Sequence, residues 1–517
     1  MSPALLLLAC HSSPGSLAPL APTSAPAAVL LAQLGPDLVT VDNVVLSDPA
    51  TGVEQTVDLD LATDDGGDER FGFRYQVKDD AGNVLYERST SGPAIVQEFL
   101  DYYSDITGLD VLGMLPGLGE FPITVPLIDG GTDVAFQFRS ADGYVELGHH
   151  SLTNLDAEDV GLSELVIGTA TLHEGGPSQN RLDLALVGDG YTEADMDRWY
   201  SDAQALTDAI LDIEPYRSHA TWVNIHRVDA VSHDSGVSYD CEPECTMRDT
   251  AFGTIFAMEL VNRFIGTGYR TTPVFQLHQW EVARAVGHVP WDAVIVVANT
   301  VHSGGMAVHY ATVPNGDADW TATGVHELGH GFGLLGDEYV EDYCIRSDTL
   351  GLPENITDRG EDPPWPQWID ADTPLPTPDE RGYRHVVGAF EGAYNCDDLY
   401  RPAKACRMLD SSGGEFCPVC AEALTRRLFR HADAIDGVTI NESGNGHVSL
   451  SADIPDGAVS LSWTVDGAAV GTGDELEVDV EPGQEIALDA VWSSEIVRED
   501  HGDLGEHWGW RVGENGP

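Results

Sequence analysis

One stretch limits this chain more than any other: Thr323-Gly-Val-His-Glu-Leu-Gly-His-Gly-Phe-Gly-Leu-Leu-Gly-Asp-Glu-Tyr339. It contains H-E-x-x-H, with His326 and His330 four residues apart. On a helix that spacing stacks both imidazoles on one face, a turn apart, where a single metal ion takes a nitrogen from each. Glu327, beside the first of them, can reach a metal-bound water as general base. The segment is also costly as a helix. Gly324, Gly329, Gly331 and Gly333 each lose about 1 kcal/mol relative to alanine. Zinc binding, worth about 10–16 kcal/mol in small structural sites, would offset that, and close packing of helix on sheet would also call for glycine.

The surroundings of this helix read as an α/β layer. Arg181–Val187, Trp222–Val228 and Asp292–Ala298 are strands, the last an uninterrupted apolar run of the kind covered on both faces. Thr192 and Asp195 form a capping-box-like helix start. Met196, Trp199, Ala203, Leu206, Ile210 and Ile213 follow at helical spacing and belong to the core. Two further helices are expected near Thr254–Ile265 and Val274–Val286, then a strand over Met306–Val313. Alternating strands and helices argue a layered α/β unit. After the metal helix comes a long Pro-, Asp- and Trp-rich loop, Glu341–Tyr383, then a helix over Ala421–Arg430.

On either side the signals are β. Phe71–Val77 and Val134–Arg139 alternate and are separated by Asp/Gly turns such as Asp79–Asn83. His447–Ser451, Val459–Val465 and Leu476–Val480 do the same, with Asp466-Gly467 as a hairpin turn. We expect five segments. These are a lipoprotein-type signal at 1–10, a disordered tether at 11–36 and an N-terminal β-sandwich at 37–171. A catalytic domain at 172–434 and an immunoglobulin-like β-sandwich at 435–517 complete the chain.

Charge excludes one class of partner. With 86 acidic and 25 basic residues the formal charge is −61, and only Lys78 and Lys404 are lysines. Such a surface repels phosphate backbones, so nucleic acid is not the partner. The start, Leu5-Leu-Leu-Leu-Ala-Cys10, is similar to a bacterial lipoprotein signal, with Cys10 as the lipidated residue, although the usual positive n-region is missing. No apolar run approaches the ~18–20 residues that span a bilayer. Export makes disulfides the expected use of the remaining cysteines. Cys417-Pro-Val-Cys420 could also be half of a zinc knuckle, but no second C-x-x-C accompanies it.

The pattern H-E-x-x-H-x-x-x-x-L-x-D-E-Y, from His326 to Tyr339, resembles the signature of the bacterial IgA-specific zinc metallopeptidase family. Further blocks resemble it in order. They are Val187–Thr192, Asp234–Ser238, Pro353–Thr357, Gly388–Ala393, Tyr400–Pro402, Cys406–Met408 and Phe416–Cys420, covering roughly Arg181 to Arg430. The resemblance implies a metzincin-like zincin catalytic domain, flanked by β-sandwich domains in a multidomain chain. It implies one catalytic Zn2+, His326 and His330 as ligands, and Glu327 as catalytic base. The metzincin pattern would put the third ligand at Gly336, which has no side chain to offer. Asp337, one residue later, is the choice, and Glu338 is its rival. Gly333 falls where metzincins end the helix and turn the chain. Tyr339 is a candidate for stabilising the transition state and Met408 for the methionine turn, with ordinary packing as the alternative for both. His302, His309 and His226 lack ligand spacing and are read as surface or core.

The implied function is a zinc endopeptidase acting on protein or peptide outside the cytoplasm, with substrate aligned on the Met306–Val313 strand. The alternative is a surface binding protein with a silent peptidase fold. Specificity for immunoglobulin A does not follow from the family resemblance.

Overall fold

The computed structural model describes residues 16–18, 24–34, 39–45, 56–58, 72–90, 120–140, 143–153, 162–239, 246–256, 274–307, 309–340, 344, 351–411, 414–442, 446–455, 459–498 and 504–513. Cys10, Cys241 and Cys245 lie outside them, as does the expected signal. The chain divides into two compact units. One comprises Ser24–Ala432 with Ile496–Glu499, the other Asp433–Glu495 and Asp500–Pro517 with Met1–Thr23.

A six-stranded sheet frames the first unit. Its strands are β1 (Val166–His173), β2 (Leu182–Asp189), β3 (Val223–Ala230), β4 (Ala293–Ala298), β5 (Met306–Ala307) and β6 (Ala311–Pro314), in the order β1-β3-β2-β4-β6-β5. The four inner strands run parallel, and the two edges, β1 and β5, are antiparallel to their neighbours. Every residue of β2 is buried, which its sequence Leu-Asp-Leu-Ala-Leu-Val anticipates. Ala185 and Val187 cluster with Val282, Ala285 and Val286 of helix α2 (Gln279–Val286). Alternation along the strand puts Leu184 and Leu186 on the opposite face.

Helix α1 (Met196–Leu211) begins at a capping box in which Thr192 and Asp195 satisfy each other's end groups. Its buried residues Met196, Trp199, Ala203, Leu206 and Ile210 are the ones the periodicity selects. The helix that carries H-E-x-x-H, α3 (Trp320–Gly331), packs against it so closely that a Cβ on Gly324 would lie 2.8 Å from the Leu206 side chain. Part of the glycine content is therefore a packing requirement. Helix α4 (Pro418–His431) closes the series.

Three expectations change here. Thr254–Phe256 and Val274–Gln276 are not helical. They pair antiparallel with each other, Ser238–Tyr239 adds parallel to Thr254–Phe256, and the helix begins only at Gln279. Buried Asp189, at the end of β2, supplies the reason for the first. Its carboxylate accepts from Gly190 N, Ser232 Oγ, Thr250 Oγ1, Phe252 N and Thr254 N, which fixes this segment as extended chain. Met306–Val313 is likewise not one strand. It folds back on itself, β5 lying antiparallel to the start of β6.

The N-terminal part of this unit holds two antiparallel sheets. One contains Ser24–Leu34, Val39–Val45, Thr56–Asp58 and Glu120–Pro126. The other contains Phe73–Lys78, Val84–Thr90, Asp133–Ser140 and Gly143–Ser151. Phe73 meets Phe121 edge-on at 5.5 Å and the Tyr75 hydroxyl donates to Thr124 O, so the two sheets touch. Strand Ser24–Leu34 occupies residues expected to be tether. Its Ala-Ala-Val-Leu-Leu-Ala run is apolar enough to pair with strands on both sides.

The second unit is also all antiparallel. Gly437–Glu442, His447–Asp453 and Glu475–Asp479 form one sheet, extended by Ser16–Ala18, which also lies in the expected tether. Val459–Val465, Ala468–Thr472, Glu485–Trp492 and Gly505–Arg511 form the other. Asp466 and Gly467 both have positive φ, +47° and +77°, as a two-residue type I′ hairpin requires. No helix among the described residues is long and apolar enough to cross a membrane.

Candidate metal centre and active site

Helix α3 presents His326 and His330 side by side, as their spacing predicts. His326 Nδ1 donates to Arg407 O at 2.8 Å, and His330 Nδ1 donates to Leu335 O at 2.6 Å. A carbonyl can only accept, so each neutral ring carries its proton on Nδ1 and turns a bare Nε2 inward. The two Nε2 atoms are 3.0 Å apart. Asp337 Oδ1 lies 3.2 Å from His326 Nε2 and 3.1 Å from His330 Nε2. Three electron-pair donors in a triangle of this size repel one another unless a cation or protons sit among them. Donors about 2.0–2.1 Å from a tetrahedral zinc are ~3.3 Å from each other, so the arrangement fits the ion.

The electrostatics agree. Burial acts against charge on His330, yet the Asp337 carboxylate outweighs it and holds the imidazole up to about 9. His326 is raised for the same reason. Burial would also raise Asp337, but the charge on His330 and hydrogen bonds from both rings hold it well below the usual carboxylate range. Glu327, 5% exposed, is pushed up, chiefly by burial. The chain passes directly over its carboxylate at Gly305, just before β5: a Cβ there would run into Glu327 Oε1.

Asp337 reaches the imidazoles because the chain reverses after α3. The residue in the left-handed region is Leu334 (φ +54°), and its N–H donates to His330 O. Gly333, expected to make this turn, instead gives room to Leu424 of α4. Asn355 then pins the returning segment. It accepts from Gly336 N and donates to Gly336 O, both at 2.8 Å, and donates to Glu338 Oε1 at 3.2 Å. The turn between β7 (Phe390–Ala393) and β8 (Cys396–Arg401) holds the next two positions, Tyr394 N donating to Asp337 O and Asn395 N to Tyr339 O. A disulfide between Cys344 and Cys396 ties this hairpin to the segment that follows Tyr339.

Met408 is completely buried under α3, and a Cβ on Gly329 would be 2.7 Å from its sulfur. It sits in a turn closed by Leu409 N and Asp410 N donating to Cys406 O, next to the Arg407 carbonyl that fixes His326. Tyr339 is half-buried two residues after Asp337. Glu338 is not with the imidazoles: it is buried among Cys406, Cys417 and Cys420. These three thiols are unpaired, contrary to the expectation of disulfides.

The other histidines are where spacing put them. His226 is core, bound to Asp183 and Thr171. His302 stacks on Tyr239 with ring centres 4.1 Å apart. His309 stacks on Phe121, burial lowering it to about 4. Asn355 and Asp189 escaped the sequence reading as individual residues, although both fall inside blocks that resemble the family pattern.

Comparison with curated proteins finds no match to the chain. A family model described as IgA Peptidase M64 matches residues 170–383, the segment that carries His326, Glu327, His330 and Asp337, so this segment is similar to that peptidase family.

Proposed function

We propose that this protein is a zinc-dependent endopeptidase that cuts protein substrates outside the cytoplasm. The observation that carries the reading is the triangle of His326 Nε2, His330 Nε2 and Asp337 Oδ1, with sides of 3.0–3.2 Å, and Glu327 next to it on the same helix. A zinc ion, when bound, supplies Lewis acidity toward a carbonyl and acidifies a water. Glu327 accepts the proton of the attacking water and passes it to the leaving amine. Its burial suits this work, since a carboxylate with a raised pKa returns a proton more readily than an exposed one. Tyr339 is the candidate for bonding the oxygen that gains charge.

Substrate lies along the edge of the sheet. β5 is one of the two edge strands of the sheet, and Gly305, just before it, lies over the Glu327 carboxylate. An extended peptide added to that edge runs its backbone past the proton-transfer group. An extracytoplasmic location is supported by the Leu-Leu-Ala-Cys10 sequence, with Cys10 as lipid anchor. The Cys344–Cys396 disulfide is also typical of oxidising compartments.

The test compares casein and peptide-library cleavage by wild type and Glu327→Ala, with metal analysis of both. Metal content should be unchanged and cleavage should fall by at least ~100-fold in the variant. Undiminished cleavage by Glu327→Ala would overturn the reading.

A further inference from the structure

We propose a second metal site in this protein, a structural zinc bound by Cys406, Cys417, Cys420 and Glu338. All four residues are buried, and one donor atom from each lies within 4.8 Å of the others. Cys406 Sγ and Cys420 Sγ are 3.6 Å apart. That is far longer than a disulfide bond of about 2.05 Å. It is close to the ~3.8 Å between two sulfurs that each bind a tetrahedral zinc at about 2.3 Å. Glu338 Oε1 is 3.1 Å from Cys420 Sγ and 3.9 Å from Cys417 Sγ, on either side of the ~3.5 Å expected for an oxygen and a sulfur on one zinc.

Two independent features point to a cation. Glu338 Oε2 is buried without any hydrogen-bond partner. A carboxylate left in that condition is costly unless a charge compensates it. The three thiols also form an odd set, so they cannot all be consumed by disulfides among themselves. Thiolate ligands select zinc over hard cations. The local backbone is arranged for thiolates too: Cys417 occupies the N-terminal cap position of α4, Cys420 lies in its first turn, and Cys417 N donates to Cys406 Sγ at 3.2 Å. The partial positive charge of a helix N-terminus favours thiolate there.

The site has a mechanical role. Glu338 follows Asp337 directly, and its N–H donates to Met408 O. Cys406 precedes Arg407, whose carbonyl orients His326. An ion joining Glu338, Cys406 and the start of α4 therefore clamps the segment of the third catalytic ligand to the turn under the catalytic helix.

The experiment is metal analysis of the full chain, together with cobalt substitution. Thiolate-to-cobalt charge transfer absorbs in the near ultraviolet, and the His326–His330–Asp337 site contains no sulfur to produce it. We expect two metal equivalents per chain and a charge-transfer band in wild type. A His326→Ala/His330→Ala variant should keep one equivalent and the band, while Cys420→Ser should lose one equivalent and the band. If Cys420→Ser does not fold, Glu338→Gln should shift the band and leave the three thiols alkylated faster. The proposal is overturned by wild type with no band, or by a Cys406–Cys420 disulfide in peptide mapping. One equivalent accompanied by the band would sustain it and count instead against the catalytic site.

Discussion

At the scale of single residues, the site depends on charge held in a small triangle. Asp337 holds the His330 imidazole up to about 9 in the metal-free pocket, so at pH 7 that ring carries a proton. Zinc must displace it, since only a neutral imidazole can ligate. Zinc binding to the wild type at pH 7 should therefore release at least one proton, and the apparent affinity should rise as the pH approaches 9. Calorimetry in buffers of different ionisation enthalpy measures both, and an affinity independent of pH between 7 and 9 would contradict the assignment. The identities of His326, Glu327 and His330 were legible because a helix converts a four-residue spacing into one face. The choice of Asp337 over Glu338 was open, because two adjacent side chains outside any regular element have no period to say which one faces the helix. Only the reversal after α3, made by Leu334 and pinned by Asn355, decides which faces the imidazoles.

At the scale of elements, α3 trades helix propensity for contact. Gly329→Ala would gain about 1 kcal/mol in propensity. The new methyl would press on Met408 at 2.7 Å and Phe416 at 3.1 Å, both buried, at a cost of about 1–3 kcal/mol. The second effect is the larger, so the variant should be destabilised by roughly 1 kcal/mol in denaturant unfolding. A gain in stability would mean that Met408 moves freely. The inner strands and α1 were visible in the sequence because their apolar periods are clean. Thr254–Phe256 was misread because what fixes it is a distant side chain, Asp189, and no local pattern. The Met306–Val313 run hid its reversal for a related reason: a strand pairing with its own continuation keeps the same alternation on both sides of the turn. Cys406 and Glu338, 11 and 79 residues before Cys417, were likewise out of reach of any spacing rule.

At the scale of the whole molecule, a formal charge of −61 dominates. Self-repulsion of this size destabilises the folded state, and salt screens it, the Debye length falling from about 10 Å at 0.1 M to about 3 Å at 1 M. The melting temperature should rise by several degrees between 50 mM and 1 M potassium chloride. An unchanged or falling value would show that the charges are already compensated. The β strands on both sides of the α/β layer were readable from alternation, whereas the strand at Ser24–Leu34 was masked by the Ser-, Pro- and Ala-rich composition around it. The central claim concerns a single ion. Anomalous diffraction at the zinc edge should give a peak about 2.0–2.2 Å from His326 Nε2, His330 Nε2 and Asp337 Oδ1, with Glu327 beside it but unbound. Crystals of zinc-replete protein with no peak in that triangle, or with Glu327 bound to the ion in place of Asp337, would contradict it.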